Sequence, residues 1–181
     1  MKPIDECRTR ASRLKLMVFD VDGVLSDGSL YFTDAGTEMK AFNARDGHGL
    51  RMLQKAGVTL AIITGRDAAC VTWRMKNLGI EHVYQGVGHK LSTFHGLLAK
   101  IGVEPHEAGF MGDDVIDLQV MAACGFSAAP SDCHDLNRQR ADYVASHAGG
   151  RGAVREVCEF ILASQDKLDE ALAPFLPAAT K

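Results

Sequence analysis

The sequence contains no run approaching the roughly 20 consecutive apolar residues of a membrane-crossing helix, so a membrane-spanning role is not expected. Nor does it cluster Lys and Arg as a nucleic-acid footprint would. With 20 basic and 23 acidic side chains and a net charge of −3, nucleic acid is not an expected partner. The opening residues, MKPIDECRTR, are charged and lack the apolar core of a secretion signal. The five cysteines (Cys7, Cys70, Cys124, Cys133 and Cys158) are odd in number and scattered, the nearest two being nine residues apart. That spacing does not make a zinc knuckle or a disulfide framework, and it suits thiols in a reducing cytoplasm. No internal repeat or low-complexity tract is present. What remains is an ordinary globular composition, 181 residues with 46% hydrophobic and 24% charged, within the usual size of one domain.

Short apolar runs alternate with amphipathic stretches. LKLMVFD (Leu14–Asp20), TLAIIT (Thr59–Thr64) and AGFMGD (Ala108–Asp113) read as strands buried on both faces. HVYQG (His82–Gly86), GFSAA (Gly125–Ala129) and ADYVAS (Ala141–Ser146) are shorter candidates. Helices are expected over Gly49–Ala56 with Asp46 as cap, and over Asp67–Leu78, Leu91–Ile101, Val115–Cys124 and Ala153–Ala163. The alternation predicts an α/β fold, a Rossmann-like parallel sheet sandwiched by helices. Ser29–Phe42 breaks the rhythm: two strand-like pieces flank Asp34-Ala35-Gly36, a β-hairpin inserted after the first strand. The core is expected over about residues 14–163 and a tail over about 164–181, its last stretch, Ala173–Lys181, fraying.

Polar residues fall where the buried strands end. The first ends in Asp20-Val21-Asp22-Gly23, the second in Thr64-Gly65-Arg66, and the fourth in Gly112-Asp113-Asp114 with Asp117 beyond; Lys90 opens the helix after the third. In an open parallel sheet, ligands bind outside the carboxyl ends of the strands. Two carboxylates 4 Å apart repel by about 4 kcal/mol at an effective dielectric of 20. A divalent cation removes that repulsion, and oxygen ligands that leave room for a phosphate favour Mg²⁺. A carboxylate can attack phosphorus, and a second acid two residues on can protonate the leaving alkoxide and then activate water. A single strand-end acid more often caps a helix; the joint set, in this order, reads as a site.

FDVDGV (Phe19–Val24), ITGR (Ile63–Arg66), Lys90 and GDDVID (Gly112–Asp117) resemble the four signature motifs of the haloacid dehalogenase superfamily, over about Leu14 to Ala145. The resemblance implies one hydrolase domain spanning residues 1–181, with Asp20 as nucleophile and Asp22 as general acid/base. Thr64 and Lys90 would hold the phosphoryl group. Asp20, the Asp22 carbonyl and Asp113 would bind Mg²⁺, with Asp114 and Asp117 orienting that shell. Aspartate at position 22 points to phosphatases rather than the superfamily's ATPases, which carry threonine there. Asp20 and Thr64 are 44 residues apart and Thr64 and Lys90 are 26 apart, which leaves no room for a cap domain. An uncapped site takes large substrates or is closed by a neighbouring chain.

In detail the sequence resembles the capless phosphatases of 3-deoxy-D-manno-octulosonate (Kdo) 8-phosphate, which serve lipopolysaccharide synthesis. Asn43-Ala44-Arg45-Asp46-Gly47 looks like that family's substrate loop, and Arg51, Arg66 and Arg74 match its further arginines. Gly149–Arg155, with Arg151, matches its glycine-rich segment. The resemblance implies a small phosphorylated sugar acid as substrate, a cytoplasmic setting and a homotetramer assembled through the 29–42 hairpin. Arginine forks suit a carboxylate, and Arg66 and Arg74, eight apart on the predicted helix, would share a face. One alternative is a phosphatase of nonulosonate 9-phosphates, such as those of sialic acid or its deaminated analogue. Another is a phospho-receiver or idle interaction module. Receivers place their acidic pair before the Thr and Lys, whereas here Asp113 and Asp114 come after them.

Overall fold

Leu16, Met17, Val18 and Phe19 are all fully buried, which requires cover on both faces of their strand. The computed structural model describes residues 3–177 and supplies that cover. The strands are β1 (Leu16–Phe19), β2 (Tyr31–Phe32), β3 (Glu38–Met39), β4 (Thr59–Ile63), β5 (His82–Tyr84), β6 (Ala108–Met111), β7 (Phe126–Ala129) and β8 (Tyr143–Val144). The helices are α1 (Ile4–Ala11), α2 (Ala44–Lys55), α3 (Ala69–Leu78), α4 (Lys90–Ile101), α5 (Leu118–Ala123), α6 (Asp135–Arg140), α7 (Ala153–Ser164) and α8 (Leu168–Leu172). Six strands form one sheet in the order β5-β4-β1-β6-β7-β8, every pairing parallel. This is the expected α/β sandwich.

The period of two along β1 splits the core. Met17 and Phe19 pack with Leu50, Leu53, Val157 and Ile161 of α2 and α7. Leu16 and Val18 pack with Phe94, Leu97 and Val120 of α4 and α5. From β1 the chain passes outward to β4 and β5, then returns to β6 on the other side of β1. The two crossovers diverge there, so a crevice opens at the carboxyl ends of β1 and β6.

The inserted hairpin pairs Tyr31 with Met39 and Phe32 with Glu38. Its turn is closed by Thr33, which bonds the Thr37 carbonyl at 3.0 Å and accepts from the Thr37 N–H at 3.1 Å. Leu30, Tyr31, Phe32 and Met39 are exposed along it.

Three sequence expectations are corrected. Helix α2 begins at Ala44, not Gly49, and its cap is Asn43, whose Oδ1 accepts from Arg45 N–H at 2.8 Å. Gly47 and Gly49, poor helix formers, concealed the first turn; they are there because Arg74 and Arg155 lie where a Cβ would be. Helix α3 begins at Ala69, so Arg66 precedes it and shares no helical face with Arg74. Before the stretch expected to fray, Leu168, Ala171 and Leu172 of α8 pack on the core, and within that stretch Phe175 meets the His48 ring edge-on at 4.8 Å. Residues 178–181 of the predicted frayed stretch lie outside the described residues.

The glycine-rich segment before α7 lies on the loop after β1 of its own chain. Gly150 N–H bonds the Val24 carbonyl at 2.9 Å, and Gly149 N–H bonds Asp132 Oδ1 at 2.9 Å. A Cβ on Gly149 would stand 1.8 Å from the Gly23 oxygen. Gly149→Ala is therefore expected to destabilise by about 1–3 kcal/mol, because backbone meets backbone. Gly96→Ala, in α4 with no atom within 4 Å of the added carbon, should be neutral or stabilising by up to about 1 kcal/mol. Thermal melting of both variants decides; equal midpoints would show that the segment is not pressed on the loop.

Candidate active site

Asp20 follows β1 directly, and its N–H bonds the Met111 carbonyl of β6 at 3.0 Å. Its Oδ1 accepts from Val21 N–H at 2.7 Å and its Oδ2 lies 2.7 Å from Lys90 Nζ. Lys90, buried at the start of α4, reaches Asp117 Oδ1 at 2.7 Å as well. The second Asp117 oxygen accepts from the N–H groups of Asp113 and Asp114 at 3.1 and 3.3 Å. Asp114 caps the short 3-10 turn Val115–Asp117 through the Val115 N–H. Thr64 is buried one strand away: Phe19 pairs with Ile62, which brings the end of β4 beside Asp20. Gly23 adopts φ +79°, and a Cβ there would stand 2.0 Å from Asp113 Oδ2, so the loop after Asp22 closes on that carboxylate.

Asp20, Asp113 and Asp117 each offer an oxygen, all within 4.8 Å of one another. Set against one lysine, three carboxylates leave an excess of two negative charges. Burial, then the Asp117 charge, raises Asp20 above the ordinary aspartate range despite Lys90. Burial and the charges of Asp20, Asp117 and Asp114 push Asp113 up to about 7. An all-oxygen set with this charge fits Mg²⁺. Asp117 is committed to Lys90 and two N–H groups, and Asp20 to Lys90 and the Val21 N–H.

Asp22 is held from the hairpin. Its Oδ1 pairs with Lys40 Nζ, which also lies 2.6 Å from Glu38 Oε1. Glu38 in turn takes Arg66 in a two-point bond, Nε to Oε1 at 3.3 Å and NH2 to Oε2 at 2.8 Å. The bonds from Arg66 and Lys40 lower Glu38 to about 2. Lys40 and Glu38 were not foreseen. No local signal set them apart: the hairpin also carries Thr33, Asp34 and Thr37.

The remaining predicted substrate residues are placed as follows. Arg74 donates to the Asn43 carbonyl at 3.2 Å and stacks over Phe42, and Arg51 donates to the Asn77 carbonyl at 2.7 Å. Both therefore brace α2. Ala44 and Arg45 are exposed on the first turn of α2, and buried Gly47 lies under Arg74. Asn43 also donates to the Gly150 carbonyl at 3.2 Å. Asp46 is buried with its oxygens on Gly152 N–H at 3.2 Å and Arg155 N–H at 2.8 Å, so its carboxylate caps α7 rather than α2. Arg151 is exposed and pairs with Asp27 at 3.1 Å.

No protein-family model matches the sequence. It is 51% identical over 163 residues to the 3-deoxy-D-manno-octulosonate 8-phosphate phosphatase of Salmonella typhi, covering 90% of this chain and 87% of the relative. The chain belongs to that phosphatase family. A family structure from Yersinia pestis superposes with a TM-score of 0.90 at 48% identity, covering 91% of this chain and 89% of the other. The Moraxella catarrhalis phosphatase, solved in complex with magnesium ion, phosphate ion and a Kdo molecule, superposes with a TM-score of 0.94 at 42% identity. That match covers 96% of this chain and all of the other. A Legionella pneumophila structure described as a haloacid dehalogenase superfamily (subfamily III A) hydrolase gives 0.92 at 39% identity, covering 95% and 94%.

The raised Asp113 carboxyl sets a pH dependence. An acid lifted from 3.8 to about 7 by folding favours the folded state while protonated, and that contribution is lost as pH rises from about 4 to 7. Magnesium takes the ionised form, so its stabilisation should grow across the same window. Melting with and without Mg²⁺ is expected to show a larger gain in midpoint at pH 8 than at pH 5. Equal gains would contradict the assignment of Asp113.

Proposed function

We propose that this chain is a Mg²⁺-dependent phosphomonoesterase that hydrolyses Kdo 8-phosphate to Kdo and phosphate through an aspartyl-phosphate on Asp20. The observation that carries the reading is the cluster of Asp20, Asp113, Asp117 and Lys90 at the switch point of the sheet, in a chain of this family. The magnesium ion, when bound by Asp20, Asp113 and the Asp22 carbonyl, neutralises phosphate charge and lets an anion approach the carboxylate.

The protein's own groups do the rest. Val21 N–H and Lys90 hold the two Asp20 oxygens, which fixes the plane of the nucleophile. Thr64 and Lys90 bind the phosphoryl oxygens. A bond forms between Asp20 and phosphorus while the phosphorus–alkoxide bond breaks, and Asp22 gives its proton to the departing alkoxide. Asp22 then takes a proton from water, the water oxygen bonds to phosphorus, and phosphate leaves with Asp20 restored. Asp117 and Asp114 position the Asp113 backbone. The substrate carboxylate is received by Arg66 and Arg151, with Arg45, Arg51 and Arg74 and the turn Asn43–Gly47 shaping the same side. Asp46 contributes by fixing the glycine-rich segment against that turn.

The whole chain works as one domain, in the cytoplasm; among the described residues no helix is long and apolar enough to cross a membrane. Four copies assemble through the 29–42 hairpins, whose exposed Leu30, Tyr31, Phe32 and Met39 need apolar cover. Sedimentation should then give a tetramer, and Phe32→Glu should dissociate it; a monomer at all concentrations would remove the assembly.

The deciding assay is phosphate release from Kdo 8-phosphate and from a nonulosonate 9-phosphate, with Mg²⁺ and with chelator. A metal-dependent preference for the first is expected, and preference for the second would overturn the substrate. Asp20→Asn should lower turnover by about 10³-fold or more with the melting midpoint retained. Near wild-type turnover would remove the nucleophile.

A further inference from the structure

The Lys40 side chain is closed to solvent, and its ammonium bridges one oxygen of Asp22 and one of Glu38. The other Asp22 oxygen, Oδ2, is buried with no hydrogen-bond partner among the described residues. A buried carboxylate oxygen left unbonded costs on the order of 1–3 kcal/mol, more when charged. Such an atom in a settled fold asks for a partner that arrives with the ligand. Alternation along extended chain explains the arrangement: Glu38, in β3, and Lys40, just after it, meet each other while Met39 between them is exposed. Glu38 holds the same lysine from its other side, so the bridge fixes the position of the Asp22 carboxylate.

We infer that Lys40 is a positioning residue for the acid step: by holding Asp22 Oδ1 it commits Oδ2 to the leaving-group oxygen. This rests on the reading of Asp22 as general acid. It assigns the hairpin a role in the chemistry of its own subunit. Lys40 touches no reacting atom; it acts through the orientation of Asp22. A misplacement of about 1 Å costs on the order of 10²-fold where geometry is limiting. An alkyl phosphate needs its leaving oxygen protonated, whereas nitrophenolate departs without a proton. Loss of Lys40 therefore separates the two substrates, which general weakening of the fold would not do.

The test is the first-turnover rate of leaving-group release from Kdo 8-phosphate and from p-nitrophenyl phosphate, each at several concentrations. Wild type, Lys40→Met, Lys40→Arg and Asp22→Asn are compared in the presence of Mg²⁺. For Lys40→Met, the maximal rate on the alkyl phosphate should fall by about tenfold or more with half-saturation within about twofold. On the aryl phosphate it should stay within about threefold, which also shows that the variant is folded. Lys40→Arg should recover most of the alkyl rate. If Asp22→Asn discriminates between the substrates and Lys40→Met does not, the role of Lys40 is overturned and Asp22 stands. A change in half-saturation alone overturns it too, because the hairpin would then only seat the substrate. If Asp22→Asn slows both substrates equally, the acid itself is misassigned and the inference goes with it.

Discussion

The constraint on which this structure turns is the excess of negative charge at the carboxyl end of a parallel sheet. Lys90 is the only ammonium within bonding reach of both Asp20 and Asp117 among the described residues, and it occupies the first position of α4. A cation at a helix N-terminus opposes the helix dipole, so its place is dictated by the two carboxylates 2.7 Å away. Asp117, fully buried, is the keystone. One oxygen holds Lys90, and the other gathers two consecutive N–H groups that set the course of the backbone through Asp113 and Asp114. Replacing Lys90 leaves two buried carboxylates without their cation, which costs more than the pairs themselves contribute.

The loop that carries Asp22 is clamped from two directions. On one side the glycine-rich segment lies against Gly23–Asp27 so closely that side chains at Gly149 or Gly150 would collide with backbone. That segment is fixed at its far end by Asp46, which caps α7 from within α2, and Gly49 allows α2 to meet Arg155 of α7. From the other side Lys40 reaches Asp22. A sugar-phosphate site without a cap thus gains its rigidity from elements distant in sequence that converge on one short loop.

The strands and the acids were legible because both obey strong rules. A strand covered on both faces must be continuously apolar, and a core does not accept the carboxylates that end it, so Leu16–Phe19 followed by Asp20 announces both fold and site. Helix starts were less legible. Gly47 and Gly49 are chosen for close packing against Arg74 and Arg155, not for helix propensity, and no local pattern reports that. Arg66 was misplaced onto α3 because the apolar spacing of Val71, Met75 and Leu78 does not show where the preceding turn ends. Lys40 and Glu38 were illegible for another reason: on a two-stranded ribbon, charges ordinarily guard an exposed edge, and only the tertiary structure turns them toward Asp22.

The arginines bear on selectivity. Arg66 is already bonded to Glu38, and Arg151 to Asp27. In the proposed reading, a substrate carboxylate must displace or share these acids, so its binding is a difference between two pairings rather than the full strength of a new one. A phosphate monoester lacking a carboxylate leaves both internal pairs in place and gains nothing from the arginines. Kdo 8-phosphate carries a phosphate at one end and a carboxylate at the other, and in the proposed reading the arginines receive the second. Because Glu38 links Arg66 to Lys40, and Lys40 to Asp22, release of Arg66 toward a substrate alters the partner of the same lysine that orients the acid. In that reading, recognition of the carboxylate by Arg66 and protonation of the leaving group by Asp22 are joined through Glu38 and Lys40, both on the hairpin.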